Sequence, residues 1–386
     1  MATVLLIIIY IAFIGLGIPD SVFGTLWPAV YSEFDLPITH SNFVTVTCSV
    51  FTCFSSLMSA RFINRFGTYK VTAVSTALTA LALFAAFFTH NFWYLILISI
   101  PLGLGGGAID SGLNGYVALR YNAMQMNFLH CFYGVGVSLS PYLLSLTLNG
   151  EGGWRVGYRT VSFVQMGIAA TVLLSAPLWK RLGESPLSEE SGKKPITLKF
   201  KEIFKIKKLP FVWLMFISSC AVEMSCSVWG STFLVEHKGL PVAEAAKTVT
   251  LYFIGLALGR FLSGILSVKL KTAKIMIMGM AVLGISVILL ALPLNNTLCA
   301  LGLFLAGMGV APIYPGLMYL TPRIFGEEVS QSIMGTHMAA AYVGILLTPV
   351  IFSFIARFIG LYLFPYYIGL MLLILSIGFI KTKIKE

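Results

Sequence analysis

The 386-residue sequence carries little charge, since Asp, Glu, Lys and Arg together make up only 11% of it. A typical soluble domain has about 25% charged residues. The short alternating strands of an outer-membrane barrel are also lacking, as is the Walker lysine motif that an ATP-driven pump would need. Hydrophobic residues instead make up 58% of the chain, and the mean hydropathy is +0.89. Apolar runs of roughly 20 residues follow one another, each long enough to cross a bilayer, so we predict an all-α, multi-pass membrane protein.

Cysteines and glycine motifs add no catalytic or cofactor chemistry. The six cysteines lie within apolar runs without metal-site spacing, and we interpret them as packing residues. The glycine-rich stretch at 102–107 lies inside an apolar run with no preceding strand, which excludes a nucleotide-binding loop. The N-terminal apolar run has no basic segment before it and no cleavage site, so we interpret it as a transmembrane helix. We therefore expect no enzyme activity, no cofactor and no metal site.

Turn signals divide the apolar runs into twelve predicted spans. One long polar stretch, residues 184–208, separates six spans from six. We predict an N-terminal six-helix bundle at 1–183, a cytoplasmic linker at 184–208 and a C-terminal six-helix bundle at 209–386. The predicted spans are 4–31, 41–66, 69–90, 92–119, 124–148, 157–181, 209–235, 243–268, 272–293, 297–321, 329–356 and 359–380.

Charge placement predicts that both termini are cytoplasmic. In that orientation 20 of the 26 Lys and Arg residues fall on inner loops and the C-terminal tail, as the positive-inside rule requires. The net charge of +11 then reflects topology and attraction to the inner leaflet, and we expect no nucleic-acid partner. The remaining six basic residues are five on outer segments, Arg155, Arg159, Lys238, Lys247 and Arg357, and one inside a span, Arg260.

The two halves of the chain match each other in sequence. "GLGGGAIDSGL" at 103–113 aligns without gaps with "GMGVAPIYPGL" at 307–317, an offset of 204 residues. The Leu-Pro pairs at 36–37 and 240–241 match at the same offset, and a glycine and a proline in span 5 recur in span 11. Two six-helix repeats in parallel register are the architecture of major facilitator transporters.

Three of the fifteen acids lie well inside spans: Asp20, Asp110 and Glu223. An ionised carboxylate in lipid is costly, so each must face a cavity, find a partner or become protonated. In span 4, Asp110 and Asn114 share one helix face, next to a track of small residues that permits close helix contact. Proton coupling through Asp20 and Asp110 is one interpretation, and a hydrogen bond between helices without a transport role is the other. For Glu223 two roles are possible: substrate binding or an interhelical hydrogen bond.

Aromatic and histidine side chains extend the predicted substrate site. Sugar-binding sites often stack rings on the sugar, but aromatics make up 13% of this chain, so packing in the core or against lipid is the alternative for each. Two interpretations apply to both His130 and His337: each lines the cavity, or each is packed and hydrogen-bonded. The candidate substrate-binding residues are Asn114, Trp27, Glu223, Trp229, Tyr314, Tyr116 and His130.

Five segments carry a resemblance to a known family: "IPDSVFGTLWPAVYSEFDL", "GLGGGAIDSGLN", "NFLHCFYGVGVSLSP", "AVEMSCSVWGSTFL" and "GMGVAPIYPGLM". The chain resembles the fucose permease-like (fucose:proton symporter) family of major facilitators over nearly its whole length. The resemblance implies that the proton-handling acids are Asp20 and Asp110, the latter in place of a Glu, and that Asn114 is the span-4 amide. The loop "SARFINRFGTYK" keeps Arg65, Gly67 and Lys70 of the superfamily motif. It has Asn64 where an acid is usual.

The resemblance implies uptake of a hexose-like sugar with a proton. We expect a monomer in the cytoplasmic membrane of a bacterium, with a monosaccharide and membrane lipid as its partners. Two transport alternatives stay open: proton-coupled efflux of drugs or metabolites, and sodium-coupled sugar symport, since a related animal group uses sodium. A receptor or assembly factor that transports nothing is a further alternative, which the absence of a sizeable soluble domain disfavours.

Overall fold

A computed structural model describes residues 1–148, 153–183 and 194–384. Residues 184–193 of the predicted linker lie outside this part of the chain. Short 3₁₀ turns at Ile38–His40 and Leu361–Leu363 precede two of the helices. The α-helices are α1 Ala2–Glu33, α2 Ser41–Phe66, α3 Thr68–Phe87, α4 Phe92–Arg120, α5 Ala123–Leu148, α6 Gly153–Leu174, α7 Ala176–Leu182, α8 Phe200–Ile203, α9 Leu209–Glu236, α10 Val242–Leu266, α11 Thr272–Ala291, α12 Asn296–Val310, α13 Ile313–Phe325, α14 Glu327–Phe358 and α15 Phe364–Thr382.

The helices confirm the predicted all-helical membrane fold. Within the described residues, 11 helical segments are long and apolar enough to cross a membrane, with α12 and α13 forming one of them. The number becomes twelve if α6 and α7, which are bent by 42° at their junction, form one span. The cytoplasmic position of both termini stays a prediction.

The bend between α6 and α7 has a local cause in Pro177. Proline has no backbone N–H, so the carbonyl four residues earlier, that of Leu173, loses its helical donor. In the structure the Tyr69 hydroxyl, at the start of α3, donates to that carbonyl at 2.9 Å. The predicted span 157–181 is therefore helical on both sides of a break at Ser175. A second proline, Pro312, stands at the similar break between α12 and α13.

The chain forms two compact units. The first contains Met1–Arg120, Leu129–Thr197 and Glu327–Met338, and the second contains Tyr121–Phe128, Leu198–Gly326 and Ala339–Glu386. Trp27, Phe92 and Trp154 are among the buried residues of the first unit's core. Phe233 and Phe352 are among those of the second unit's core. Each unit therefore buries aromatic and aliphatic side chains of its own.

Each unit contains a close helix contact of the same kind, and the two contacts are related by the offset seen in the sequence. A Cβ on Gly103 of α4 would collide with the Cys48 carbonyl of α2, and a Cβ on Gly307 of α12 would collide with the Tyr252 carbonyl of α10. Both residues of the second pair lie 204 positions after those of the first. The small residues are required because the helix backbones touch there, as is usual in membrane bundles.

Candidate functional site

Asp20 lies in the second half of α1, and its side chain is exposed. The Tyr133 hydroxyl of α5 donates a hydrogen bond of 2.7 Å to its Oδ2 atom. The two helices approach closely because Gly17 packs directly on the α5 backbone at Tyr133 and Val137. Ser21 adds a second link by donating to the Val137 carbonyl at 2.8 Å. The sequence therefore places Asp20 beside α5 through small and hydroxyl residues on one face of α1.

Asp110 is the start of a polar chain from α4 to α5. The Asn114 side-chain Nδ2 donates to Asp110 Oδ1 at 2.6 Å and to the Asp110 carbonyl at 3.0 Å. The Asn114 Oδ1 atom lies 3.1 Å from Nε2 of His130. Asp110 is half-buried, whereas Asn114 is 0% exposed, so the amide joins the carboxylate to the histidine from inside the protein. The predicted column of Asp110 and Asn114 therefore exists and extends to His130.

Asp20 on α1 and Asp110 on α4 belong to the same compact unit, and their charges interact. Among the described residues neither carboxylate forms an ion pair, and the donors that reach them are neutral side chains. Two negative charges without a cation repel each other. Uptake of one proton by either carboxylate would remove that repulsion.

The second unit contains a different arrangement around Glu223 of α9. The Arg260 side chain of α10 lies 3.4 Å from it, Nη2 to Oε2. The arginine side chain is 10% exposed and the glutamate side chain 34% exposed. Glu223 thus has its charge balanced by a buried cation, which Asp20 and Asp110 lack among the described residues.

The remaining predicted substrate-binding aromatics fall into two groups. Trp229 is half-buried, donates from Nε1 to the Pro349 carbonyl at 3.2 Å and packs on Phe352. Tyr314 is half-buried, with its ring perpendicular to that of Phe216 and the ring centres 5.2 Å apart. These two side chains are in the same unit as Glu223 and keep part of their surface accessible.

Trp27 and Tyr116 are packed inside the first unit. Trp27 is 6% exposed and contacts the rings of Phe23 and Phe92. Tyr116 is 1% exposed, with its ring 4.7 Å from that of Trp179 and its hydroxyl donating to the Gly183 carbonyl. The structure therefore gives both rings the packed environment that was the alternative interpretation.

Two residues that contact the predicted acids, one in each unit, were not selected from the sequence. Tyr133 lies three positions after His130, so helical spacing puts both on one side of α5. Arg260 is an ionisable residue inside a span, which is by itself a signal of a functional site. Its partner depends on how α9 and α10 pack, which spacing along one helix does not reveal. In the described part of the chain no group of three or more His, Cys, Asp or Glu side chains is arranged to hold a metal ion.

A chain of apolar helices that carry carboxylates within their membrane-spanning segments has the features of a polytopic membrane carrier. Comparison with known proteins identifies the family. The chain belongs to the major facilitator superfamily, whose family model matches residues 9–248 and 233–385. It is accordingly a membrane transporter and not an enzyme.

Individual relatives are distant in sequence. The glucose/mannose transporter GlcP of Bacillus subtilis (strain 168) is 21% identical over 329 residues, which cover 83% of this chain and 80% of GlcP. A crystal structure of FucP, the fucose:proton symporter of E. coli, in its outward conformation has a TM-score of 0.78 and 14% identity, covering 98% of this chain and 99% of that one. The proton:xylose symporter XylE has a TM-score of 0.78 and 13% identity, covering 97% of this chain and 94% of that one. Both structural likenesses show the fold.

Proposed function

We propose that this protein takes up a hexose-like sugar together with a proton across the cytoplasmic membrane of a bacterium, working as a monomer. The observation that carries the proposal is the pair Asp20 and Asp110, two interacting carboxylates without a cation among the described residues. GlcP is named as a glucose/mannose transporter, and FucP and XylE as proton symporters of sugars, which supports both the substrate class and the coupling ion.

Asp20 is the proposed proton carrier. Its side chain is exposed, and the Tyr133 hydroxyl donates to one carboxylate oxygen, while no described residue donates to the other. We propose that this second oxygen exchanges a proton with water in the transport path. Protonation removes the repulsion between Asp20 and Asp110, so the loaded site differs from the empty one in charge. Alternating access by rocking of the two bundles would carry the neutralised site from one side of the membrane to the other.

Asp110 is the proposed partner of Asp20 and a contact for sugar hydroxyls. Its half-buried carboxylate has one oxygen held by Asn114, which His130 contacts in turn. Since Asn114 has both amide atoms engaged and no exposed surface, its proposed role is to position Asp110. Trp229 and Tyr314 supply accessible ring surface in the second unit, whereas Trp27 and Tyr116 are proposed to stabilise the fold.

The same carboxylates would also suit proton-coupled efflux of a cationic compound. Membrane vesicles with an acid exterior distinguish the two functions. Symport predicts accumulation of radiolabelled D-glucose, D-mannose, L-fucose or D-xylose that a protonophore abolishes. Extrusion of a cationic dye without any sugar accumulation would favour efflux and contradict the proposal.

The proposal is tested residue by residue with Asp20→Asn, which mimics a permanently protonated acid. We expect gradient-driven accumulation to be lost while exchange of sugar for sugar across the membrane continues. Asp35→Asn is the matched control, because Asp35 lies just outside α1 with a φ of 50°, which asparagine tolerates. Normal accumulation by Asp20→Asn would remove Asp20 from the mechanism.

A further inference from the structure

We propose that Arg260 and Glu223 form a binding site for neighbouring hydroxyl groups of a neutral sugar in the second unit. This inference rests on the proposed function and identifies residues of the second half that contact the substrate. Glu223 lies on α9 and Arg260 on α10, and both belong to one compact unit.

The Arg260–Glu223 pair is incomplete as an ion pair. Among the described residues Arg260 donates one hydrogen bond, at the long distance of 3.4 Å, although a guanidinium group has five N–H donors. Its Nε atom is buried without a hydrogen-bond partner. A buried polar group left unpaired costs free energy, so an additional acceptor would stabilise this arginine.

A second ion pair in the chain shows what a completed pair looks like. Arg155 donates to both carboxylate oxygens of Glu33, at 2.6 and 2.8 Å, and its Nε donates to the Thr89 carbonyl at 2.6 Å. Trp154 adds a further donor to Glu33 at 2.7 Å. Arg155 therefore uses its donors within the protein, whereas Arg260 keeps donors available for a ligand.

The pair offers both kinds of hydrogen-bonding group to a ligand. A donor-rich guanidinium and an accepting carboxylate match vicinal sugar hydroxyls, each of which donates and accepts.

Charge balance selects a neutral ligand. Glu223 already compensates the charge of Arg260, so a neutral sugar can bind without leaving an unpaired charge in a partly buried site. A sugar acid would add a carboxylate for which this pair has no second cation, and that is unfavourable where water is scarce. The site is therefore expected to bind D-glucose in preference to D-glucuronate.

The experiment measures binding to the purified full-length transporter by calorimetry, with D-glucose, D-mannose, L-fucose and D-xylose as probes. Glu223→Gln and Arg260→Lys are expected to weaken binding of the best of these sugars by about tenfold to a hundredfold, since each removes hydrogen bonds to a charged group. Glu33→Gln is the matched control and should leave the dissociation constant within about twofold of the wild type. Deoxy analogues of the bound sugar are then measured on every variant. The analogue that lacks the hydroxyl contacted by Glu223 should bind the wild type more weakly than the parent sugar does. It should bind Glu223→Gln about as well as the parent sugar does, because the variant has already lost that contact.

The outcomes separate this inference from the proposed function. If the wild type binds none of the four sugars, the proposed function fails and the inference fails with it. If the wild type binds sugar but Glu223→Gln and Arg260→Lys bind equally well, only the inference is overturned. Only the inference is overturned, too, if the affinity loss of every deoxy analogue adds to that of the variants, or if D-glucuronate binds more tightly than D-glucose. If Arg260→Lys does not fold, the sugar affinity of the isosteric Glu223→Gln tests the inference by itself.

Discussion

Equivalent positions of the two repeats carry different chemistry. Asp20 in α1 and Glu223 in α9 correspond within one residue of the 204-residue offset, and Arg260 corresponds to Ser56. Ser56 is a buried hydroxyl that donates to the Gly107 carbonyl at 3.1 Å and thereby joins α2 to α4. The first repeat therefore has acids without a cation among the described residues, and the second has an acid with its cation in place.

This difference indicates a division of labour between the repeats. An acid without a cation is ready to accept a proton, whereas an acid paired with arginine keeps its charge and offers hydrogen bonds instead. We therefore assign the response to the proton gradient to the first repeat, and recognition of a neutral ligand mainly to the second, with Asp110 as the contact from the first. The helix contacts at Gly103 and Gly307 are alike in the two repeats, so the difference lies in side-chain chemistry and not in the backbone.

The largest expected effect is a difference in sugar accumulation between variants of the acids in the two repeats. Asp110→Asn should reduce accumulation of sugar to the level of passive equilibration, because the carboxylate that interacts with Asp20 is gone. Glu223→Gln should still accumulate sugar against its gradient, with a KM raised about tenfold, as the loss of roughly 1.4 kcal/mol of binding predicts. Accumulation ratios and initial rates in the same vesicles test both. A Glu223→Gln protein that binds sugar normally but cannot accumulate it would reverse the assignment.

The helix contacts shared by the repeats predict matching losses of stability. Gly103→Ala and Gly307→Ala each place a methyl group against a backbone carbonyl that cannot move away, so each should destabilise the protein by about 1–3 kcal/mol. Gly24→Ala is the control, since nothing lies within 4 Å of a Cβ at that position. Thermal unfolding in detergent measures the three variants. Unchanged Tm values for both contact glycines would mean that the backbones are not in contact there.

A smaller effect is expected from the hydroxyl that supports Asp20. Tyr133→Phe removes the 2.7 Å hydrogen bond while leaving the ring in place, and should slow proton-driven uptake about tenfold, corresponding to one hydrogen bond to a charged group. Tyr142→Phe on the same helix is the control, because its side chain is 64% exposed. Uptake measured across a series of external pH values should change shape in Tyr133→Phe alone. Identical profiles in both variants would exclude a role for Tyr133.

The smallest effect concerns the packed aromatics. Trp27→Phe and Tyr116→Phe should leave the KM for sugar within about twofold, because the rings fill the core and are not available to a ligand. Both should lower the Tm, since each large ring is replaced by a smaller group or loses a hydrogen bond. A tenfold rise in KM for either variant would indicate that the residue contacts the sugar.

The sequence predicts the fold because the rules that govern it are local. Long apolar runs, turn residues and an internal repeat identify the spans. They do not predict the breaks at Pro177 and Pro312, since 157–181 and 297–321 each read as one unbroken helix. The acids are as visible as the spans, since any carboxylate inside an apolar run needs a partner, a cavity or a proton. These features do not require knowledge of which helices are neighbours.

Side-chain partners are the part that sequence could not supply. The Asp20–Tyr133 and Glu223–Arg260 pairs each join two helices, so they depend on tertiary packing. Aromatic residues present a related difficulty, because Trp27 in the core and Trp229 at an accessible position have similar surroundings in sequence. Only the packing of neighbouring helices decides which ring can meet a ligand.

The most direct test of the account is the movement of protons when sugar is added. Vesicles containing the transporter are suspended in weakly buffered medium, and the external pH is recorded as the transported sugar is added without any imposed gradient. The account predicts a rise in external pH with the wild type, the same rise with or without sodium, and no rise with Asp20→Asn. Sugar entry without any change in pH, or a pH change that persists in Asp20→Asn, would contradict it.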